Sequence, residues 1–480
     1  MESTDELDPA LDKAQGLEAS RIGDELTTPI GSLVSSPPVA VSPDATVAEA
    51  ARAMRDAGAS AALIVDEPPG IVTHRDLGER VVAPGLDLGT PVRTVMSRPL
   101  EPFPSGMPVF EALRRMLELG VHHLPVTRDE RVVAILRDTD LLRHQLRSPL
   151  PLLDRIEAIR GLADVPREYS REVASVAETL FAGGLGVAQI GGVLAALSDA
   201  LTRRLLTLAE RELGPPPCPY SWVVLGSEGR REQVLLSDQD NALVYLEDEG
   251  EARPYFHSLA GLVVDALTEA GFPRCPGDYM ATTWCRPLAE WEALFGQWVN
   301  VPEPHALLEA QIFLDFRGLQ GGLSLEPLDR ILAAGGRRAL FLHNLARAVL
   351  RFRPPLGPLG RIRTADGWVD LKAGGIGAIV MLARLYALAG GSAARPTLER
   401  LETAAEAGQL SRAGAEILAE SFRLLTRLRL QEQIRSIHRG EEPSNRVRPD
   451  ALSPLERRRL LEALRAVRKQ MDAAALRFPG

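Results

Sequence analysis

The sequence predicts a multidomain fold, α/β through its front and middle and all-α at its C-terminal end. Three observations predict it. The chain has 480 residues, too many for one core when domains run to roughly 100–200 residues. A segment near the front recurs 62 positions later, from Val47 to Val109, with its apolar pattern intact. From Arg338 onward the apolar residues recur almost entirely at helical spacing.

Composition narrows the function. Apolar residues make up 45% and charged residues 25%, which is globular rather than disordered or fibrous. A net charge of −9 argues against nucleic acid as a partner. Three cysteines, Cys218, Cys275 and Cys285, form no disulfide framework and fit no zinc spacing, so a cytoplasmic location is expected. Lysine occurs only at 13, 372 and 469, never behind a glycine-rich loop, which excludes a P-loop. Residues 1–23 read as a flexible polar tail without the features of a signal peptide. Thr179–Ser198 carries no charge, but its five glycines favour a buried, close-packed helix over a membrane span.

The repeat comes first in the chain. Thr46-Val47-Ala48-Glu49-Ala50 matches Pro108-Val109-Phe110-Glu111-Ala112, and Gly58 matches Gly120. Each copy continues into two apolar strands and a helix start, Gly70-Ile71-Val72-Thr73-His74-Arg75-Asp76 in the first and Ala134-Ile135-Leu136-Arg137-Asp138-Thr139-Asp140 in the second. Each unit therefore reads helix, strand, strand, helix, and one unit alone buries too little surface to be stable. This pattern resembles a tandem pair of CBS domains, α+β modules, over residues 24–146 (about 24–85 and 86–146). The resemblance implies an adenosine nucleotide as ligand, met by Thr73 and Asp76 in the first copy and Asp140 in the second. Arg137 replaces the threonine of the second copy and offers a guanidinium to a phosphate. Asp76 and Asp140 also suit helix N-caps. CBS pairs often dimerise, so a homodimer through this pair is an expected arrangement.

Residues 147–214 read as a helical connector ending at Gly214-Pro215-Pro216-Pro217. The next stretch is the most informative. Trp222 to Leu225 reads as a buried strand, Gly226-Ser227 turns the chain, and Ser237-Asp238-Gln239-Asp240-Asn241 leads into a second apolar strand. On extended backbone, Asp238 and Asp240 project to one side and Gln239 to the other. Two carboxylates so close repel unless a cation intervenes, and Mg²⁺ or Mn²⁺ favours carboxylates combined with phosphate oxygens. Gly226 and Ser227 suit a phosphate. A phosphate cradle beside two carboxylates is the layout for phosphoryl or nucleotidyl transfer.

The run Gly226-Ser227-Glu228-Gly229-Arg230-Arg231-Glu232-Gln233 followed by Asp238-Gln239-Asp240-Asn241 resembles the DNA polymerase beta-like nucleotidyltransferases. Closer resemblances are to the protein-PII uridylyltransferases and to a bacterial family of signal-transduction nucleotidyltransferases that join CBS pairs to this domain. The resemblance implies a nucleotidyltransferase domain over 215–330, a mixed sheet with helices. Asp238 and Asp240 would be its catalytic and metal-binding residues, and Gly226, Ser227, Arg230 and Arg231 would contact the nucleotide phosphates. Arg230 and Arg231 equally fit a charge pair with Glu228 and Glu232. The superfamily uses a third carboxylate. Asp278, expected in a strand after the predicted helix Tyr255–Ala270, is the first candidate, and Asp315, a possible partner of Arg317, the second.

Residues 335–480 are expected to be a helical bundle. They resemble the substrate-binding helical domain of the same family. Asp370, Lys372, Arg384 and Arg429 are polar groups on otherwise apolar faces, suited to a nucleotide cleft or to internal ion pairs. No His-Asp dipeptide occurs in the chain, so the de-modifying domain of full-length uridylyltransferases is not expected. The reading as a whole is an Mg²⁺-dependent nucleotidyltransferase that uses a nucleoside triphosphate, acts on an acceptor protein, and is regulated through its CBS pair. The alternative is a non-catalytic nucleotide-sensing scaffold.

Overall fold

The structure is a computed structural model that describes residues 27–34, 36–141, 150–235, 238–247, 250–302, 306–307, 310–357 and 360–479. The expected tail and Ser237 lie outside the described residues. The chain divides into two compact units, one running to Asp154 with Ala182–Leu185, the other comprising Arg155–Phe181 and Gly186–Gly480.

In the first unit each repeat forms a three-stranded sheet. The first copy is β1 (Ala40–Val41), α1 (Val47–Asp56), β2 (Ala61–Ile64), β3 (Gly70–Thr73) and the single turn α2 (His74–Leu77). The second is β4 (Phe103–Pro104), α3 (Val109–Leu119), β5 (His123–Arg128), β6 (Arg131–Arg137) and α4 (Asp138–Leu141). The opening strands β1 and β4, two residues each, pair parallel with β2 and β5. They are additions to the expected helix–strand–strand–helix pattern, because two residues carry no readable alternation. Helix α1 starts with a capping box between Thr46 and Glu49, which satisfies backbone donors otherwise left orphaned. Its apolar stripe, Val47, Ala50 and Met54, is buried. Ser60 of the first copy and His123 of the second are hydrogen-bonded at 2.8 Å.

The second unit contains α5 (Leu150–Ala158, of which the part from Arg155 belongs here), α6 (Tyr169–Ala182) and α7 (Val187–Leu213). The uncharged stretch Thr179–Ser198 is thus split between two helices rather than forming the single helix expected. A mixed sheet follows, built from β7 (Tyr220–Val224), the single turn α8 (Gly226–Gly229), β8 (Asn241–Tyr245), α9 (Ala252–Glu269), β9 (Cys285–Pro287), α10 (Leu288–Asn300) and β10 (Arg317–Gln320). Its strand order is β10-β7-β8-β9, with β7 antiparallel to both β8 and β10 and β9 parallel to β8.

The all-α end comprises α11 (Glu326–Gly335), α12 (Ala339–Val349), α13 (Gly377–Ala389), α14 (Thr397–Glu406), α15 (Arg412–His438) and α16 (Pro454–Arg477). A two-stranded ribbon, β11 (Val369–Asp370) with β12 (Arg446–Val447), stands between them. One face of the sheet, including Val223, Leu225, Ala242 and Val244, shares a continuous apolar core with Leu345, Leu382, Leu425 and Leu464 of these helices. The connector helix α7 covers the sheet as well: buried Asp199 holds Arg317 of β10 through two bonds of 2.8 and 2.9 Å. Among the described residues, one helical segment, Lys372–Ala389, is long and apolar enough to cross a membrane, with mean hydropathy 1.4, and it is 72% buried.

Candidate functional site

The site grows from two turns at the ends of β7 and β8. After β7, Gly226 turns the chain at φ +54°, a left-handed conformation that favours glycine. Its missing side chain also makes room, since a Cβ there would lie 3.1 Å from Asp240 Oδ2. Gly229 is required more strictly: a Cβ would sit 1.9 Å from the carbonyl oxygen of Asp315. The two ends are clamped together by the Leu225 N–H, which donates to the Asp240 carbonyl at 2.9 Å.

The Asp238-Gln239-Asp240-Asn241 segment is extended and alternates as expected. Gln239 is buried and turned away, its amide donating to Thr268 Oγ1 at 3.0 Å and to the Phe272 carbonyl at 2.9 Å. The Asn241 side chain accepts the Ala281 N–H at 2.7 Å. These bonds anchor the alternate residues and leave Asp238 and Asp240 on the other side. Burial, reinforced by Asp238, pushes the Asp240 carboxyl up to about 7, and its Oδ1 is buried without a hydrogen-bond partner. An orphaned buried oxygen beside a second carboxylate fits a bound cation better than it fits a finished hydrogen-bond network.

The anchoring also brings in a residue that sequence reasoning passed over. The segment after α9 runs beside Gln239–Asn241, held by the Gln239 N–H on Pro273 and the Asn241 N–H on Tyr279, both at 3.0 Å. Cys275 therefore faces the pair, and the ligand atoms of Asp238, Asp240 and Cys275 all lie within 4.8 Å of one another. Burial pushes the Cys275 thiol up to about 11. The sequence signal was only that a cysteine follows the helix behind the aspartates.

Asp278 does not join this group. It sits exposed in a turn at φ +58° rather than in the expected strand, accepting a 2.7 Å bond from Thr283 Oγ1. The Cys-Pro-Gly run before it bends the chain, and alternation past that bend was not a strand signal. Asp315, the second candidate, is fully buried and partnered elsewhere. Burial alone would raise its carboxyl, but Arg384, Arg400 and Arg230 hold it well below the usual range. Arg384 Nε donates to it at 3.0 Å and Arg400 Nη1 at 2.7 Å. Its expected partner Arg317 pairs with Asp199 instead.

Arg230 is likewise engaged, bonded to Asp315 and, at 2.8 Å, to Glu232. Its side chain is only 11% exposed, so the structure does not offer it to a phosphate as expected. Arg231 adopts φ +57° just beyond α8, and Ser227 is half-buried at the turn. Glu228 is pushed up to about 8 by burial and by Asp199. A cavity of about 30 Å³ behind the pair, lined by Glu228, Gln233 and Asp238 among others, holds no more than about two waters and is no nucleotide pocket.

Of the polar groups expected in the helical end, Lys372 lies close enough to lower the Asp240 carboxyl. Arg429, brought down to about 10 by burial, is supported by Asp370 and Asp238. Arg384 belongs to the Asp315 cluster instead. In the CBS unit, Thr73 and Asp76 form a capping box, the Thr73 N–H donating to Asp76 Oδ2 at 2.8 Å, with Arg80 3.2 Å from Oδ1. Asp140 accepts the Arg137 N–H at 2.9 Å and lies 3.6 Å from its guanidinium. Both aspartates thus bond back to the residue three before them from within the first turn, and neither is itself the N-cap expected.

Family models match the same three parts. Residues 30–82 and 92–147 match the CBS domain family, residues 171–305 the family described as "Putative nucleotidyltransferase DUF294", and residues 339–478 its "Putative nucleotidyltransferase substrate binding domain". An uncharacterized protein of Methanopyrus kandleri is 33% identical over 119 residues, 24% of this chain and 61% of that protein. A CBS domain-containing protein of Bacillus subtilis is 30% identical over 129 residues, 26% of this chain and 86% of that one. A solved CBS domain protein of Pyrobaculum aerophilum, complexed with AMP, is 26% identical with a TM-score of 0.23, covering 26% of this chain and 98% of its own. The chain spans about three fifths of the length of the Methanopyrus protein. With the two nucleotidyltransferase models filling most of the region after the CBS pair, this chain belongs to the DUF294 nucleotidyltransferase family in a form that carries a CBS pair.

Proposed function

We propose that the chain transfers a nucleotidyl group from a nucleoside triphosphate to an acceptor hydroxyl, on a protein by analogy with the protein-PII uridylyltransferases. One observation carries the reading: the Gly226–Ser227 turn is clamped against a carboxylate pair whose Asp240 keeps an unpartnered buried oxygen. Asp238 and Asp240 would hold a divalent cation, Mg²⁺ or Mn²⁺, which when bound neutralises charge on the phosphates and favours the reacting hydroxyl. Gly226 lets backbone approach the triphosphate closely, and Ser227 supplies a hydroxyl and an N–H. Lys372 and Arg429 contribute positive charge where phosphate charge would gather. The acceptor oxygen bonds to the α-phosphorus, the α–β bridging P–O bond breaks, pyrophosphate leaves, and the hydroxyl proton passes to a carboxylate of the site.

The CBS pair would bind an adenosine nucleotide near Thr73, Asp76, Arg137 and Asp140 and pair two chains as a homodimer. Regulation requires that this ligand bind two states of the protein unequally. Three free cysteines suit a reducing cytoplasm.

The test is incubation with Mg²⁺ and each α-labelled nucleoside triphosphate in cell extract, wild type beside Asp238→Ala/Asp240→Ala. Label on a macromolecule with wild type alone is the expected result. A second reading, a non-catalytic nucleotide sensor, is favoured by Asp278 standing away from the pair. It expects nucleotide binding that is indifferent to divalent ions, with no label under any condition.

A further inference from the structure

The third position beside the aspartate pair is held by sulfur. Cys275 Sγ and a carboxylate oxygen from each of Asp238 and Asp240 lie within 4.8 Å of one another. One first-row ion with bonds of about 2.0–2.3 Å would reach all three after small side-chain adjustments. A further observation points to an ion rather than to mere packing. Asp240 Oδ1 is buried with no hydrogen-bond partner. The turn that carries Cys275 is fixed beside β8 by the bonds of Gln239 and Asn241, so the sulfur is placed by the fold.

We propose that Cys275 is the third protein ligand of the Asp238–Asp240 cation site, where its sulfur stands in for a third carboxylate and biases the site toward Mn²⁺, Co²⁺ or Zn²⁺ over Mg²⁺. The inference rests on the cation reading above. The chemistry follows from donor type. Mg²⁺ takes oxygen ligands, whereas a mixed oxygen and thiolate set suits borderline divalent ions. On binding, the S–H bond breaks, its proton goes to solvent and the sulfur donates a lone pair to the ion.

Co²⁺ titration of the full chain tests this without reference to activity, because a thiolate on Co²⁺ absorbs in the near ultraviolet through charge transfer and a carboxylate does not. Wild type should develop the band and Cys275→Ser should not. Co²⁺ affinity should fall in that variant by at least the ~10–100-fold that loss of an outer-shell partner of a ligand costs, with little change for Mg²⁺. Cys275→Asp, which supplies a carboxylate, should reverse the preference. The wild-type band guards against a variant that merely misfolds. Co²⁺ binding without the band, at equal affinity in Cys275→Ser, overturns the sulfur ligand and leaves the carboxylate pair standing. Failure of wild type to bind either ion more tightly than Asp238→Asn/Asp240→Asn overturns the pair, and the sulfur ligand with it.

Discussion

Asp315, fully buried, and Asp240, half-buried with one oxygen enclosed, are two carboxylates of the same unit with opposite surroundings. Asp315 is fully buried and bonded to Arg230, Arg384 and Arg400. Asp240 faces another carboxylate and keeps an oxygen with no partner. Burial acts on both in the same direction, yet one is held far below the usual carboxylate range and the other is raised to about 7. The difference lies in what was brought to meet them. A carboxylate with three arginines is a structural joint, and one left short of positive charge is a place for something that arrives later.

The largest expected effect breaks the first half of that contrast. Asp315→Ala leaves three guanidiniums facing one another in the interior, and unfolding in urea should show a loss of about 3–5 kcal/mol. Asp240→Asn sharpens the second half. It should abolish labelling while raising stability at pH 8 without metal by roughly 1–3 kcal/mol, since the repulsive charge is gone.

The pH profiles should also run in opposite senses. Asp240 binds its proton more tightly folded than unfolded, about 7 against 3.8, so its contribution is complete below about pH 4 and is lost as pH rises through about 7. Asp315 is depressed, so its contribution is complete above its ordinary 3.8 and is lost as the solution becomes strongly acidic. Denaturation followed from pH 2 to 8, wild type beside each variant, separates the two slopes, and a saturating divalent ion should flatten the Asp240 slope alone. The smallest effect tests the joint at its edge. Thr397→Val removes the hydroxyl bond to Glu232 at 2.9 Å and should cost about 1 kcal/mol, read as a small fall in Tm.

How much was legible follows the same division. The Gly226–Ser227 turn, the strands around it and the outward pair Asp238 and Asp240 were readable because they depend on spacing within twenty residues. On local rules alone, Thr397-Leu398-Glu399-Arg400 reads as a capping box broken by Arg at its third position. In the structure Pro396 is the N-cap, Thr397 bonds Glu232, and Arg400 reaches Asp315, 85 positions away. Local rules read that arginine as a fault because its reason is tertiary. Cys275 was passed over on the same ground, since only the folded turn after α9 carries it to the aspartates. Asp278 lies past the Cys-Pro-Gly bend at φ +58° and stays outside the group, because the bend overrides the local alternation that suggested a strand. The CBS aspartates, expected as N-caps, instead reach back from inside the first turn: Thr73 is the N-cap and Asp76 the third helical residue of its capping box, and Asp140 bonds the Arg137 N–H in the same way.

The partners of Asp315 also bear on how such chains can be divided and recombined. The nucleotidyltransferase match ends at residue 305 and the helical match begins at 339. Asp315 lies in the gap between them, clasped by Arg230 from before it and by Arg384 and Arg400 from after it. The apolar core crosses the same gap without interruption. A gene fusion or a protease cut at that seam would leave each fragment with an unmatched charge and a raw apolar face. The two parts are separate words in the sequence but one inheritable piece, and exchange of either with a relative should succeed only when the buried cluster travels with it.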